Sequence, residues 1–117
     1  MAFFGDLPTV GEVLASEFMK PMNISQNALA KALGIPQNRI SDIINGKRGV
    51  SADTDLRLCK YFGLTDGYFS GLQMDFEQIA AKRKLGKDLK KIIPLKAALA
   101  KGNTQFSKDK LPLQAHG

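Results

Sequence analysis

Apolar residues recur every three or four positions in several stretches of the chain, with polar residues between them. This spacing is the period of an α-helix that turns one face toward a core, and no stretch shows the strict alternation of a β-strand. Glycine, proline and capping residues separate the stretches. The pattern therefore predicts an all-α fold with five helices.

The first three predicted helices are short and close together. They cover about residues 9–20, residues 25–33 and a stretch that begins at Pro36 and ends at the Asn-Gly pair of residues 45–46. Gly34 suits the turn between the second and third helices, because glycine readily takes the left-handed conformation that follows a helix end. Two short helices joined by such a turn form a helix-turn-helix. Its predicted inward face consists of Leu29, Leu33, Ile35, Ile40 and Ile43.

Hydroxyl and carboxylate side chains mark where helices begin. Ser25 can cap the second helix, Ser51 or Asp53 can cap a fourth helix that Gly63 ends, and Thr65 can cap a fifth. The apolar stripe of the fifth helix consists of Phe69, Leu72, Phe76 and Ile79.

Few residues of the kinds used in catalysis or metal binding are present. Cys59 is the single cysteine and His116 the single histidine, so a disulfide, a zinc cluster or a catalytic triad cannot be built from them. Cys59 falls in the apolar pattern of the fourth helix, as expected of a core thiol. An enzyme is the least favoured class, and no cofactor or metal is predicted.

The length of 117 residues suits one compact domain with extensions. No apolar stretch approaches the ~20 residues of a membrane helix, and the first ten residues lack the layout of a signal peptide. We therefore expect a cytoplasmic protein. Its predicted organisation is a domain over residues 1–81 and a basic extension over residues 82–117 that is partly helical and then disordered.

The net charge of +6 belongs to the C-terminal part of the chain. Residues 1–80 hold 7 Lys and Arg against 9 Asp and Glu, whereas residues 81–117 hold 10 against 2. The extension can grip flanking DNA, touch an acidic partner, lie on a membrane surface, or remain solvated. Any nucleic-acid site in the first part must rest on the placement of a few cations.

Polar side chains cluster at the start of the third helix, which in a helix-turn-helix enters the major groove. Glutamine and asparagine can pair with adenine, arginine with guanine, and aspartate can accept from the cytosine amine. The candidates for base reading are Gln37, Asn38, Arg39, Ser41 and Asp42. Asp42 can instead pair with Arg39 on the helix surface. A plain helical bundle explains the leucines and the glycine turn but not this polar cluster.

A second group of residues is suited to the DNA backbone. The start of the second helix can direct an amide side chain and free N–H groups at a phosphate, and a basic turn after the third helix can hold the other side. The candidates for phosphate contact are Gln26, Asn27, Lys47, Arg48 and Ser51. The alternative for Lys47 and Arg48 is an exposed, solvated turn.

These positions resemble the Cro/C1-type (XRE) family of helix-turn-helix proteins. The residues that carry the resemblance are Ser25-Gln26, Leu29-Ala30, Leu33-Gly34, Arg39-Ile40-Ser41 and Asn45-Gly46-Lys47. Over about residues 8–80 the chain is similar to HigA antitoxins in particular, through stretches that include residues 11–14, 24–30, 45–49 and 52–54. The resemblance implies a five-helix, lambda-repressor-like fold and an autorepressor that neutralises a small basic, mRNA-cleaving ribonuclease toxin.

One segment departs from the HigA pattern. Such chains usually continue after the fourth helix with a Ser-Pro-Glu-Phe-Trp type of sequence, whereas this chain has Gly67 and Gly71 in that region. Glycine in a helix interior costs roughly 1 kcal/mol relative to alanine. The fifth helix is therefore expected to be less rigid near its start.

A single domain reads few base pairs, so we expect a homodimer on a palindromic operator in double-stranded DNA. The candidates for the dimer interface are Phe69, Leu72 and Phe76, although the same stripe can simply close the monomer core. Two other functions remain open. One is a plain XRE-type repressor of phage or mobile-element genes without a toxin, and the other is a helical adaptor that binds protein alone.

Overall fold

The computed structural model describes the backbone of residues 7–102 and their side chains except those of residues 98 and 100–102. Within that range the protein is helical and has no β-strand, which confirms the all-α prediction. The helices are α1 (Val10–Val13), which continues as a π-helical stretch (Leu14–Met19), α2 (Gln26–Leu33), α3 (Gln37–Ile44), α4 (Ala52–Phe62), α5 (Tyr68–Leu85), α6 (Lys87–Lys90) and α7 (Leu95–Gly102).

Local capping explains where three of the first four helices begin. Thr9 and Glu12 exchange side-chain and backbone hydrogen bonds of 3.1 Å at the start of α1, which forms a capping box. The hydroxyl of Ser25 accepts a 3.0 Å hydrogen bond from the N–H of Ala28. Of the two candidate caps for α4, Ser51 fills the position and accepts from the N–H of Thr54 at 3.2 Å. The sequence thus locates these helix starts to within a residue or two.

Two boundaries differ from the predictions. Pro36 has an extended conformation, with φ −66° and ψ 145°, so α3 begins after it rather than at it. The predicted side-chain cap of α5 by Thr65 is wrong, since α5 begins at Tyr68. The carboxylate of Asp55 holds that start instead, accepting from the N–H groups of Gly67 at 2.7 Å and of residues 69 and 70 at 2.9 Å.

Asp55 is 2% exposed, yet three backbone N–H groups surround its carboxylate. Buried carboxylates need such partners, and free N–H groups at a helix start need acceptors. One side chain of α4 therefore satisfies the first turn of α5. The two helices are joined by this hydrogen-bond set as well as by apolar packing.

The core of the domain lies between α1, α2, α3, α4 and the start of α5. Its buried members are Val10, Leu14, Met19, Leu29, Ala30, Leu33, Ile40, Ile43, Val50, Leu58, Cys59 and Phe69. Cys59 has 0% exposure, as expected of a core thiol. Phe18, Phe62 and Phe69 form an aromatic group with ring centroids 5.2–6.4 Å apart.

The burial of Phe69 corrects the predicted dimer surface. Its side chain has 0% exposure inside the monomer and therefore offers no surface to a second copy. Leu72 and Phe76, which complete that predicted set, are half-buried, and Ile79 is 41% exposed. The start of the α5 stripe thus closes the monomer core, while its later residues keep accessible surface.

The chain divides into two compact units between Lys84 and Leu85. Helix α5 runs through the predicted domain boundary at residues 81 and 82 and ends at Leu85. In the extension the structure describes α6 and α7, whereas the predicted disorder of the last fifteen or so residues and His116 lie outside the described residues. Over residues 7–102, no helix is both long and apolar enough to cross a membrane.

Candidate nucleic-acid interface

Helices α2 and α3 form the predicted helix-turn-helix. Gly34 ends α2 in the left-handed conformation, with φ 72° and ψ 35°, and its N–H donates to the carbonyl of Lys31. Ile40 and Ile43 of α3 are 0% and 1% exposed, so they fix one face of this helix against the core. The opposite face of α3 is thereby held toward solvent.

The predicted base-reading residues lie on and beside that outer face. Gln37 and Asn38, in the first turn of α3, are exposed, and Arg39, Ser41 and Asp42 are half-buried. The start of α3 also has no side-chain cap, which leaves its first N–H groups without that kind of partner. This turn therefore presents amide, guanidinium and N–H donors together, the groups that read base edges and phosphates.

The charged members of this set pair in an arrangement that the sequence did not predict. Arg39 lies 3.7 Å from Asp53 of α4, and Arg48 lies 3.9 Å from Asp42. The suggested ion pair between Arg39 and Asp42 is therefore wrong, because each of these side chains pairs with another residue. The Asp53 side chain is 59% exposed, so its ion pair with Arg39 is weak and leaves the guanidinium able to take another acceptor.

The basic turn after α3 carries two of the predicted phosphate contacts. Lys47 and Arg48 are exposed, and their N–H groups donate to the carbonyl of Asp42 at 2.8 and 3.3 Å. Gly46 takes a φ of 76°, which favours glycine at this point of the turn. Ser51 follows as the cap of α4. The backbone thus holds both cations beside the C-terminal end of α3.

The remaining phosphate candidates lie at the start of α2. Gln26 is half-buried and Asn27 is exposed in its first turn. Ser25 caps that turn through one backbone N–H group, so the other N–H groups of the turn can meet an anion. The two ends of the helix-turn-helix therefore both carry groups suited to an anionic backbone.

A glutamine outside the predicted site supports the basic turn from α5. The Oε1 atom of Gln73 accepts a 2.7 Å hydrogen bond from the N–H of Val50, and its Nε2 atom donates to the carbonyl of Val50 at 3.3 Å. Gln73 occupies the i+4 position from Phe69, on the inward stripe of α5. A polar residue at an inward position was the available signal in the sequence, but its partner lies 23 residues away.

A close approach between α1 and α3 fixes the other end of the recognition helix. Gly11 packs against the backbone of Ile43 and Ile44, and a Cβ atom at position 11 would overlap the carbonyl oxygen of Ile43. Only a residue without a side chain fits there. Among the described residues, no group of three histidine, cysteine or acidic side chains is placed to hold a metal ion.

Sequence comparisons identify the family. The helix-turn-helix family HTH_3 matches residues 16–69. Virulence-associated protein I of Dichelobacter nodosus is 48% identical over 60 residues, which are 50% of this chain and 56% of that protein. Antitoxin HigA-1 of Vibrio cholerae is 33% identical over 92 residues, which are 78% of this chain and 86% of that protein.

The chain belongs to the HigA antitoxin family.

Solved structures of HigA-like proteins have the same fold. Pseudomonas aeruginosa antitoxin HigA, solved with the higBA promoter, is 33% identical with a TM-score of 0.67, over 74% of this chain and 95% of that one. P. aeruginosa PA4674, solved in complex with its 18 bp operator DNA, is 34% identical with a TM-score of 0.71. The match covers 75% of this chain and 94% of that one. About a quarter of this chain thus lies outside the HigA-like structural match.

Proposed function

We propose that this chain is a sequence-specific DNA-binding repressor that represses its own operon and serves as the antitoxin of a type II toxin–antitoxin module. The observation that carries the proposal is the outward display of Gln37, Asn38 and Arg39 on a helix whose other face is fixed in the core. The HigA-like proteins solved with promoter or operator DNA support it.

The recognition helix α3 enters the major groove with its first turn against the base edges. Gln37 and Asn38 pair with adenine and Arg39 with guanine, and each bidentate pair discriminates against a wrong base by about 1–3 kcal/mol. Arg39 exchanges its exposed partner Asp53 for the base edge on binding. Ser41 and Asp42 contact bases farther along the groove.

Backbone contacts position α3 without reading sequence. Gln26 and Asn27 at the start of α2 face one phosphate group, and Lys47, Arg48 and Ser51 hold the strand on the other side. Each neutralised phosphate releases condensed counterions, so the affinity falls as the salt concentration rises. The acidic balance of residues 1–80 makes these few cations the principal electrostatic attachment of the domain.

The active repressor is a homodimer on an inverted repeat, with half-sites separated by one helical turn, ~34–36 Å. Helix α5 supplies the interface through Leu72, Phe76 and Ile79, which share one edge of the helix and keep accessible surface. The partner that the antitoxin neutralises is a small basic ribonuclease encoded beside it. The protein works in the cytoplasm and has no catalytic role of its own.

Arg39→Ala tests the base-reading role. We expect the free energy of binding to the operator to weaken by about 1–3 kcal/mol, and that of binding to random-sequence DNA to change less. The variant cannot make the base contact but keeps the phosphate contacts. Lys47→Ala is the control, and it should weaken both DNA types alike. An Arg39→Ala protein whose preference among operator variants equals that of wild type contradicts the proposal.

A tagged pull-down from the native host separates antitoxin from plain repressor. Mass spectrometry identifies bound protein and sequencing identifies bound DNA in the same eluate. A stoichiometric small basic protein together with DNA from the chain's own promoter supports the antitoxin function. DNA without a protein partner favours a plain XRE-type repressor, and protein without DNA favours an adaptor.

A further inference from the structure

We propose that Gln73 is a positioning residue for DNA binding, which holds the basic turn of residues 46–49 in the conformation that contacts the phosphate backbone. The inference rests on the proposed function, because it assigns the support for contacts that Lys47 and Arg48 make there. It adds a residue of α5 to a surface that otherwise comes from α2, α3 and the turn between α3 and α4.

The geometry of the Gln73 amide is that of a two-point clamp. It accepts from the Val50 N–H at 2.7 Å and donates to the Val50 carbonyl at 3.3 Å, so both polar groups of one backbone residue are satisfied by one side chain. Both hydrogen bonds are partly buried. Since Val50 is itself 5% exposed, the turn is fixed at its end by a buried apolar side chain and by this amide.

Gly49 provides independent support for the clamp. A Cβ atom at position 49 would lie 2.6 Å from Oε1 and 3.1 Å from the Cδ of Gln73. The absence of a side chain at position 49 therefore lets the amide reach Val50. The atoms in the way belong to the end of a flexible side chain, so alanine at position 49 should displace the amide rather than unfold the turn.

Neighbouring space allows that displacement. An open cleft of about 400 Å³ borders Gly49, Gln73 and Phe76 and extends to the basic residues of the turn. A displaced glutamine side chain can swing into this cleft. Lys47 and Arg48 line the same cleft, so the clamp and both cations belong to one small region of the surface.

The clamp affects DNA binding through order rather than through direct contact. Lys47 and Arg48 are exposed, and outside the clamp the turn is held by backbone bonds to Asp42 and by a 3.9 Å ion pair. Without Gln73, the Val50 end of the turn samples other conformations. Lys47 and Arg48 then no longer reach the phosphates in the bound complex, and those contacts are lost. The effect appears in the phosphate contacts and leaves base preference unchanged.

The test uses the full chain with Gln73→Leu, which keeps the side-chain size and removes both hydrogen bonds, and with Gly49→Ala. Gln78→Leu is the control, because Gln78 is an exposed glutamine of the same helix. Binding to a duplex from the chain's own promoter and to a random duplex is measured between about 50 and 200 mM salt. Amide hydrogen exchange reports the Val50 N–H directly.

We expect Gln73→Leu and Gly49→Ala each to lose about one or two phosphate contacts on both duplexes. The slope of the logarithm of the affinity against the logarithm of the salt concentration should become shallower by roughly 0.9 for each lost contact. The ratio of the two affinities should stay at the wild-type value, and the Val50 N–H should exchange faster. The double variant should resemble either single variant, because both remove the same clamp.

Three results would overturn the inference, and they distinguish a failure of the role of Gln73 from a failure of the proposed phosphate contact. If the Val50 N–H exchanges faster but the salt slope is that of wild type, Gln73 has a structural role only. If Lys47→Ala in the wild-type background also leaves the slope unchanged, the proposed phosphate contact of the turn has failed. If the control Gln78→Leu makes the salt slope shallower by as much as Gln73→Leu does, the inference is overturned as well.

Discussion

The guanidinium of Arg57 donates a 2.7 Å hydrogen bond from Nη1 to the carbonyl oxygen of Leu33, the last residue of α2. The same side chain pairs through Nε with Asp53, also at 2.7 Å. A cation therefore sits at the C-terminal end of α2, where carbonyl groups lack helical partners and the helix dipole is negative. Helix α4 thus fixes the point at which the chain turns toward the recognition helix.

Arg57→Ala should lower the free energy of unfolding by about 1–2 kcal/mol. Most of this change comes from the Leu33 carbonyl, because the ion pair with Asp53 is exposed and contributes little. Urea denaturation measures it, with Lys60→Ala, an exposed cation of the same helix, as the control. Equal unfolding midpoints for the two variants would show that the Leu33 bond adds no stability.

Gly11→Ala and Gly71→Ala should change stability in opposite directions. At position 11 a Cβ atom overlaps the carbonyl of Ile43, so α1 must move from α3, at a cost of about 3 kcal/mol. At position 71 in α5 no atom beyond the adjacent residues and the backbone of the helix itself lies within 4 Å of the new Cβ atom, and alanine should stabilise the helix by roughly 0.5–1 kcal/mol.

Thermal and urea unfolding of the two glycine variants provide the measurement. A Gly11→Ala protein as stable as wild type would mean that α1 does not pack against α3 this closely. A destabilised Gly71→Ala protein would mean that glycine at this position has a role other than flexibility.

Ile79→Glu should weaken the proposed dimer. Ile79 is 41% exposed and continues the edge formed by Leu72 and Phe76, so a carboxylate there must be desolvated at the interface. Sedimentation equilibrium should find monomer at concentrations where wild type is dimeric, and operator affinity should fall with it. Met74→Glu, at a position of α5 that is 51% exposed and outside that edge, is the control. Dissociation by Met74→Glu but not by Ile79→Glu would move the interface to the Met74 side.

Removal of residues 86–117, which keeps α5 to its last residue, tests whether the extension contacts flanking DNA. If it does, the salt dependence of DNA binding should become shallower. The removed segment carries 7 Lys and Arg, and the slope falls by about 0.9 for each phosphate that these residues neutralise in the full chain. The preference for operator over random DNA should stay the same, since such contacts do not read bases. An unchanged slope would show that the extension does not touch the DNA backbone.

Local signals in the sequence predicted much of the helix-turn-helix. Ser25, Gly34 and Ser51 act within a few residues of themselves, so their roles follow from the chain near them. The inward positions Ile40 and Ile43 follow from helical periodicity, and both are buried. The polar residues at the other positions of α3 follow from the same periodicity and face outward. Their contacts with DNA stay a prediction.

The long-range polar contacts were not predictable in this way. Gln73 and Val50 are 23 residues apart, and Arg57 and Leu33 are 24. Periodicity shows that a polar residue faces inward or lies near another helix, but not which carbonyl or N–H group it meets. The predicted start of α5 was wrong for the same reason, because its partner is Asp55 on α4 and not the adjacent Thr65.

The carboxylate of Asp55 also determines how short a working fragment of this protein can be. The family match ends at residue 69, but one of the three N–H donors of Asp55 belongs to Ser70. The same match begins at residue 16, after the capping box of Thr9 and Glu12. A fragment cut at those borders would keep the recognition helix without parts of its support, so the segment that the family model matches is shorter than the segment we expect to fold.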